Sequence, residues 1–312
     1  MDLELSPEQD QLRQSVATVV RRYAGLPRAR ELGAKMDHAL LGALNEAGFL
    51  DVVRDASALE GALVVELLAG GLACAPVAAR ILVAPLAGVT DLPPSIGLLN
   101  GRSDQLVPYA PECEAFLVLD GERALLASAD EVTVEPVDSA FGGGYGRVTV
   151  RGGQDLGDGS GARLRRAWQV GIAVEAAGLM IPAIEMAAEH VAQRYQFGRP
   201  IGSFQAVQHR LARAYVMAQG TLWLGRRAAV HHDDEFLTAS AAAFAAESGE
   251  ATYTNTHQVC GAIGVTTEFG LHLWTMRLLA LGRMLGGKNE HARRVAAARR
   301  AMDLSGLPSP IH

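Results

Sequence analysis

Apolar positions repeat with a helical period towards both ends of the chain and lose that period in between. Near the start, Leu12, Val16, Val19 and Val20 form a stripe spaced by three and four residues, which predicts an amphipathic helix. Ser6-Pro7-Glu8-Gln9 supplies its beginning: Ser6 as N-cap, Pro7 in the first turn and Gln9 three residues on, closing a capping box. A second helix is predicted over 39–47, stopping at Gly48. A third is predicted over 59–73, with Leu63, Val64, Leu67, Leu68 and Leu72 inward. Pro76 ends that run, and 77–86 adds a short helix. Residues 1–85 therefore read as a helical domain.

Between 86 and 158 the helical stripe gives way to short β-like runs at 116–119, 124–127, 132–134 and 147–150, punctuated by turn residues such as Asp120-Gly121. Gly142-Gly143-Gly144 and 152–161 read as loops, the latter a linker. The simplest reading is a small antiparallel β domain. From 159 to 312 the pattern is helical again. A helix over 163–194 is apolar around most of its circumference (Trp168, Ile172, Val174, Leu179, Ile181, Ile184, Val191), so it is expected to be buried on several sides, with a kink at Pro182. Ser203 reads as the N-cap of a helix over 204–231, and further helices follow over 236–259, 270–285 and 289–304. Antiparallel helices of this length form a bundle. The fold class is mainly α: an N-terminal helical domain, a small β domain and a C-terminal helical bundle.

Composition narrows the function. A chain of 312 residues with 49% hydrophobic and 20% charged residues supports a large core. A net charge of −6 argues against a protein that lives by binding nucleic acid. No apolar run reads as a bilayer span, and Met1-Asp2-Leu3-Glu4 has no signal-peptide core. These set the expectation of a cytoplasmic chain that binds no membrane. Cys74, Cys113 and Cys260 give neither a disulfide framework nor metal-ligand spacing. His231-His232-Asp233-Asp234-Glu235 reads as a solvated turn with an N-capping Asp rather than a metal site.

Two strings carry candidate chemistry. The first is Arg194-Tyr195-Gln196-Phe197-Gly198-Arg199-Pro200-Ile201-Gly202-Ser203-Phe204-Gln205, where a long helix ends, a turn follows and a new helix opens. A guanidinium beside a helix N-terminus suits an anion. An ordinary helix–helix turn whose arginine complements the helix dipole has the same pattern. The second is Gln258-Val259-Cys260-Gly261-Ala262-Ile263-Gly264-Val265-Thr266-Thr267-Glu268. Its small residues permit close backbone approach to a ligand or a helix, and they equally suit a helix end and turn.

Together, R-x-x-F-G-x-P-I-x-x-F-Q and, 64 residues after its arginine, Q-V-x-G-x-x-G-x-T-x-E closely resemble the acyl-CoA dehydrogenase family. Leu5-Ser6-Pro7-Glu8-Gln9 and Glu46-Ala47-Gly48 look like that family's first helices. The resemblance implies a three-part helix–β–helix fold, divided here as 1–85, 86–158 and 159–312, and FAD held at a subunit interface. It implies cofactor contacts from Arg194 (to the pyrophosphate), Gln196, Phe197, Gln205, Gln258, Gly261 and Ala262, the last standing where the family usually has a second glycine.

The family reaction needs a carboxylate base to take the Cα proton. Counting from the motifs, its two usual places hold Leu285 and Trp168 (with Gln169 beside it), and none of these is a base. Glu175 and Glu290 are the nearest carboxylates, for which surface or capping roles are expected. The family's T-E-P-x-x-G-S-D loop and W-I-T/S strand, which hold the flavin ring, do not occur between 86 and 158. All three tryptophans lie elsewhere, and the middle domain is roughly half the usual size. No catalytic residue is therefore assigned. The chain resembles the smaller subunit of the α2β2 acyl-CoA dehydrogenases of actinobacterial steroid catabolism. That resemblance implies a full-length partner subunit supplying base and flavin pocket, and a steroid-derived acyl-CoA substrate. A structural or regulatory subunit without flavin contact, and a homomeric flavoenzyme with a relocated base, are the alternatives.

Overall fold

The structure is a computed structural model, and it describes residues 4–139 and 144–301. Five helices come first: α1 (Pro7–Tyr23), α2 (Leu26–Leu32), α3 (His38–Glu46), α4 (Val52–Asp55) and α5 (Ala58–Gly70). The capping box forms as expected. The Gln9 amide donates to Ser6 Oγ at 3.2 Å, and the Ser6 amide donates to Gln9 Oε1 at 3.0 Å. Gln9 Nε2 then donates to Glu60 at 2.8 Å, which ties α1 to α5. Helix α5 stops at Gly70, earlier than its apolar run predicts, because the chain turns through Leu72 at φ 59°. Leu72 is nevertheless buried. The short helix expected after Pro76 is a wide π turn over Ala79–Val83 running into α6 (Ala84–Leu86).

Seven strands follow: β1 (Ile96–Asn100), β2 (Gln105–Pro108), β3 (Ala115–Asp120), β4 (Arg123–Ser128), β5 (Val132–Val137), β6 (Tyr145–Val150) and β7 (Gln154–Asp155). They form two sheets, in the orders β1-β3-β4-β7 and β2-β6-β5. The all-antiparallel expectation fails at one pair: β1 runs parallel to β3, with Leu98 opposite Leu117, because the intervening β2 crosses to the other sheet. β1 is invisible to a search for β-branched runs because it holds Gly97. A Cβ there would fall 2.6 Å from the Phe116 ring, so the approach of the buried Phe116 demands a glycine. The expected 152–161 linker contains β7 and the start of the next helix. Of the Gly142-Gly143-Gly144 loop, the first two residues lie outside the described residues.

The remainder is helical: α7 (Ser160–Gln193), α8 (Gln205–Val230), α9 (Glu235–Cys260), α10 (His272–Leu281) and α11 (Gly287–Ala301). The predicted end of α11, 302–304, lies outside the described residues. A small hairpin, β8 (Tyr195–Gln196) with β9 (Arg199–Pro200), joins α7 to α8. Asp234 caps α9, accepting from the Leu237 amide at 3.0 Å. Ser203 does not cap α8. Its hydroxyl donates to the Pro200 carbonyl at 2.7 Å inside a tight turn, and Phe204 occupies the cap position without a side-chain bond.

Helix α7 is the axis of the fold. It continues without interruption past Pro182. The carbonyl that Pro182 leaves unbonded is that of Gly178, and there α5 crosses so closely that a Cβ would lie 2.3 Å from the Glu66 carbonyl oxygen. Tertiary packing thus holds the helix through the proline. By length and composition α7 would also pass for a membrane span, contrary to expectation from the sequence, but 67% of its most apolar window is buried within the protein. Glu66 and Arg226 cross-link α5 and α8 as a buried bidentate pair, at 2.7 to 3.2 Å.

Candidate functional site

Helices α7, α8 and α9 run up, down and up through short turns, so the end of α7, the start of α8 and the end of α9 meet at one end of the bundle. Arg210 of α8 donates to Asn255 of α9 at 3.2 Å there, and the His190 and Phe269 rings meet edge-on at 5.3 Å. The tip of the β8–β9 hairpin is formed by Phe197 (φ 54°) and Gly198 (φ 77°). A two-residue hairpin turn needs such left-handed backbone, which a bulky side chain disfavours.

All seven residues singled out in the sequence lie at this end, and all seven are exposed: Arg194, Gln196, Phe197, Gln205, Gln258, Gly261 and Ala262. Among the described residues, no hydrogen bond or ion pair occupies the side chains of Arg194, Gln196, Gln205 or Gln258. Phe197 is 89% exposed, with only an edge-on contact to Phe204. Gly261 ends α9 at φ 64°, and a Cβ there would meet nothing within 4 Å. Tyr195, Ile263 and Val265 add exposed apolar surface. Within the described chain, the polar side chains of this set hold nothing in place.

A second cluster of polar groups lies inside. A cavity of about 90 Å³ is enclosed by the segment after α5, by β1 and β2, and by α7 and α10, with Trp168, Tyr109, Tyr145, Glu175 and Arg277 in its wall. Two bonds dock α10 onto the end of α5: Trp274 Nε1 donates to the Gly70 carbonyl, and Arg277 Nη1 to the Ala73 carbonyl, both at 2.9 Å. Arg277 Nη2 donates to Tyr109 Oη at 3.2 Å and approaches Cys74 Sγ at 3.7 Å.

Glu175 does not have the surface or capping role expected of it. It sits two helical turns from Trp168 on the same face of α7, and that face lines the cavity. It forms no hydrogen bond or ion pair among the described residues. Burial pushes its carboxyl up to about 7 against the pull of the Arg277 charge. Burial and the Glu175 charge push the Tyr145 phenol up to about 12, with Arg277 opposing. Glu290, by contrast, pairs with Arg293 and Arg294 near the surface.

The two usual base positions hold no proton acceptor. Trp168 is 5% exposed and stands between the cavity and an open cleft beside Asp104, Arg283 and Gly286. Leu285 is buried in the wall of that cleft at φ 51°. Gln169 faces the other way, accepting from Thr238 at 3.2 Å. Sequence reasoning missed Tyr109, Tyr145 and Arg277. Each is a lone polar residue in an unremarkable local context, and no spacing marks it.

Comparison with known proteins identifies the same framework. The acyl-CoA dehydrogenase C-terminal domain model matches residues 169–301. Acyl-CoA dehydrogenase FadE34 of Mycobacterium tuberculosis is 32% identical over 223 residues, 69% of this chain but 31% of that protein, so the chain spans about a third of this relative's length. Among solved structures, the ChsE4-ChsE5 complex from Mycobacterium tuberculosis superposes with a TM-score of 0.82 at 23% identity, covering 97% of this chain and 100% of that one. The Tcur3481-Tcur3483 steroid ACAD superposes at 0.79 and 21% identity, covering 94% and 98%. Residues 169–301 are an acyl-CoA dehydrogenase C-terminal domain, and the chain shares the fold of these solved structures along its length.

Proposed function

We propose that this chain is a subunit of a FAD-dependent acyl-CoA dehydrogenase, and that it lends its bundle end to the cofactor of a full-length partner subunit in an α2β2 heterotetramer. The observation that carries this reading is the bundle end itself: seven exposed residues of two sequence motifs gathered in one place, with the side chains of Arg194, Gln196, Gln205 and Gln258 making no hydrogen bond or ion pair among the described residues. Bound FAD supplies the hydride acceptor. Toward it, Arg194 offers a guanidinium fork that suits a pyrophosphate. Gln196, Gln205 and Gln258 offer donors and acceptors. Phe197 offers a ring, and Gly261 and Ala262 a backbone that a ligand can approach closely.

The other half of the reaction is assigned to the partner. Trp168 and Leu285 cannot take a proton, so the base that removes the Cα proton comes from the partner, as does the flavin-ring pocket. Two similar folds were solved as complexes of two differently named proteins, and one of these is a steroid ACAD. We extend that substrate class, a steroid-derived acyl-CoA, to this assembly. The division into 1–85, 86–158 and 159–312 is proposed as its domain plan.

The test is co-expression with full-length acyl-CoA dehydrogenases of the source organism. The expected result is a colourless or poorly soluble chain alone, and a yellow heterotetramer with one FAD per pair of unlike subunits when the partner is present. A stable homotetramer with one FAD per chain overturns the reading.

A further inference from the structure

The cavity behind Trp168 holds a guanidinium and a carboxyl group that do not pair. Arg277 uses three of its five N–H groups, on the Ala73 carbonyl, the Tyr109 hydroxyl and the Cys74 sulfur. None of these acceptors is a carboxylate. Two N–H groups remain, and a half-buried cation without an ion-pair partner is costly. Glu175 shares the wall without a bond to it. The rest of the lining is apolar, including Leu98, Ile172 and Leu281. Few polar groups converging in an apolar, largely enclosed space is the common form of a small-molecule site.

We propose that this chamber is a ligand site of the chain's own, and that it takes a small apolar carboxylic acid. The acid's carboxylate bonds to Arg277 and the Tyr109 hydroxyl, its tail lies against Ile172 and Leu281, and Glu175 as the neutral acid donates to the second carboxylate oxygen. Charge then balances, one cation against one anion. A cavity of about 90 Å³ suits a short or branched chain and excludes a steroid ring system. The inference does not depend on flavin binding at the bundle end.

The proton arrangement makes a specific demand. The groups facing Glu175 are Arg277 from α10, Tyr109 from the segment after β2, and Tyr145 from β6. The two phenols lie too high to titrate near neutrality, and Arg277 stays charged. Of these four groups, Glu175 is the one that changes state between pH 6 and 8. A carboxylate ligand therefore binds the protonated form, and binding at pH 8 draws in a proton.

The experiment is calorimetry of the full chain with butyrate, isovalerate and hexanoate, at pH 6 and 8, in buffers of different ionisation enthalpy. The expected affinity falls about tenfold from pH 6 to pH 8, following the neutral fraction of an acid that titrates near 7. Proton uptake at pH 8 approaches one per ligand. Glu175→Gln retains a donor, so it keeps binding but loses both the pH dependence and the uptake. Arg277→Met abolishes binding while helical circular dichroism is retained. No binding of any of the three acids by the folded chain overturns the proposal. So does an affinity equal at pH 6 and 8, or binding of butyryl-CoA in place of butyrate. If Arg277→Met does not fold, Glu175→Gln decides the matter alone, because unaltered pH dependence in that variant removes Glu175 from the site.

Discussion

Polar side chains stand without a hydrogen-bond partner among the described residues in two regions, Arg194 and three glutamines at the bundle end and Glu175 in the chamber behind Trp168, and the free energy they cost differs. At the bundle end, Arg194 and the three glutamines are exposed, so water satisfies them and the isolated chain loses nothing by keeping them. In the chamber, Glu175 is half-buried against largely apolar walls and forms no hydrogen bond among the described residues, and an unsatisfied polar group withdrawn from water costs about 1–3 kcal/mol. An exposed, unused set is neutral for folding and is explained only by something that comes to cover it. An unbonded carboxyl held against apolar walls opposes folding and is explained by something that enters. Mutations should therefore behave differently in the two places: removing the unbonded Glu175 carboxyl from the chamber should raise stability, and removing polar groups from the bundle end should leave it unchanged.

The largest effect is expected for Glu175→Gln. The Glu175 carboxyl is raised from 4.5 to about 7 in the folded chain. Below pH 4.5 the group is neutral whether the chain is folded or not, and it does not influence folding. Between 4.5 and 7 the unfolded chain ionises first, so stability falls as pH rises. Above 7 the full penalty stands, about 3 kcal/mol. A glutamine escapes it. Urea unfolding should show Glu175→Gln more stable than wild type by about 3 kcal/mol at pH 8 and nearly equal at pH 4.5. A difference that does not vary with pH would place the carboxyl in water and erase the contrast between the two regions.

Arg194→Ala sharpens the other side. Stability of the free chain should stay within about 0.5 kcal/mol, as for exposed residues generally. Titration of the deflavinated complex with FAD should show binding weakened by about 10- to 150-fold, the loss of a charge-assisted contact of about 1.5–3 kcal/mol. Arg194→Lys should recover part of this, because the ammonium keeps the charge without the fork. Equal affinities for wild type and both variants would leave Arg194 as a plain charge at a helix end.

The two regions also differ in how far the sequence reveals them. The bundle end rests on local signals. The end of α7, the Phe197-Gly198 turn and the Gly261 stop lie within short strings, and antiparallel helices joined by short turns must bring those strings to one end. The same locality made the Ser6–Gln9 capping box and the Asp234 cap readable. The chamber depends on contacts far apart in sequence: Arg277 reaches Ala73, and Glu175 shares a wall with Tyr109 and Tyr145. No periodicity in α7 separates a glutamate that faces a cavity from one that faces solvent, because the helix is apolar on nearly every side. β1 was hidden for the same reason. Gly97 looks like a break until Phe116, from another strand, is seen against it. Ser203 misled in the opposite direction, since a good capping residue was taken up by a tighter turn one residue earlier.

The smallest effect in the free chain, and the most discriminating, is expected at Phe197. Its backbone is left-handed, a conformation that costs a bulky residue about 1–2 kcal/mol, and its ring is 89% exposed. A chain selected only for its own stability would place glycine or asparagine here. Phe197→Gly relieves the backbone strain, but the extra freedom that glycine gives the unfolded chain costs about 0.4–1 kcal/mol in return. The two nearly cancel, so denaturation of the free chain should move by less than about 1 kcal/mol. If the ring is kept for a covering partner, co-purification and FAD retention should fall sharply in the same variant. The glycine leaves the hairpin turn intact, so that loss reports on the ring alone. A variant that matches wild type in assembly and in FAD content would mean that nothing covers the hairpin tip. The strain at Phe197 would then have no functional account, and the bundle end would be ordinary protein surface.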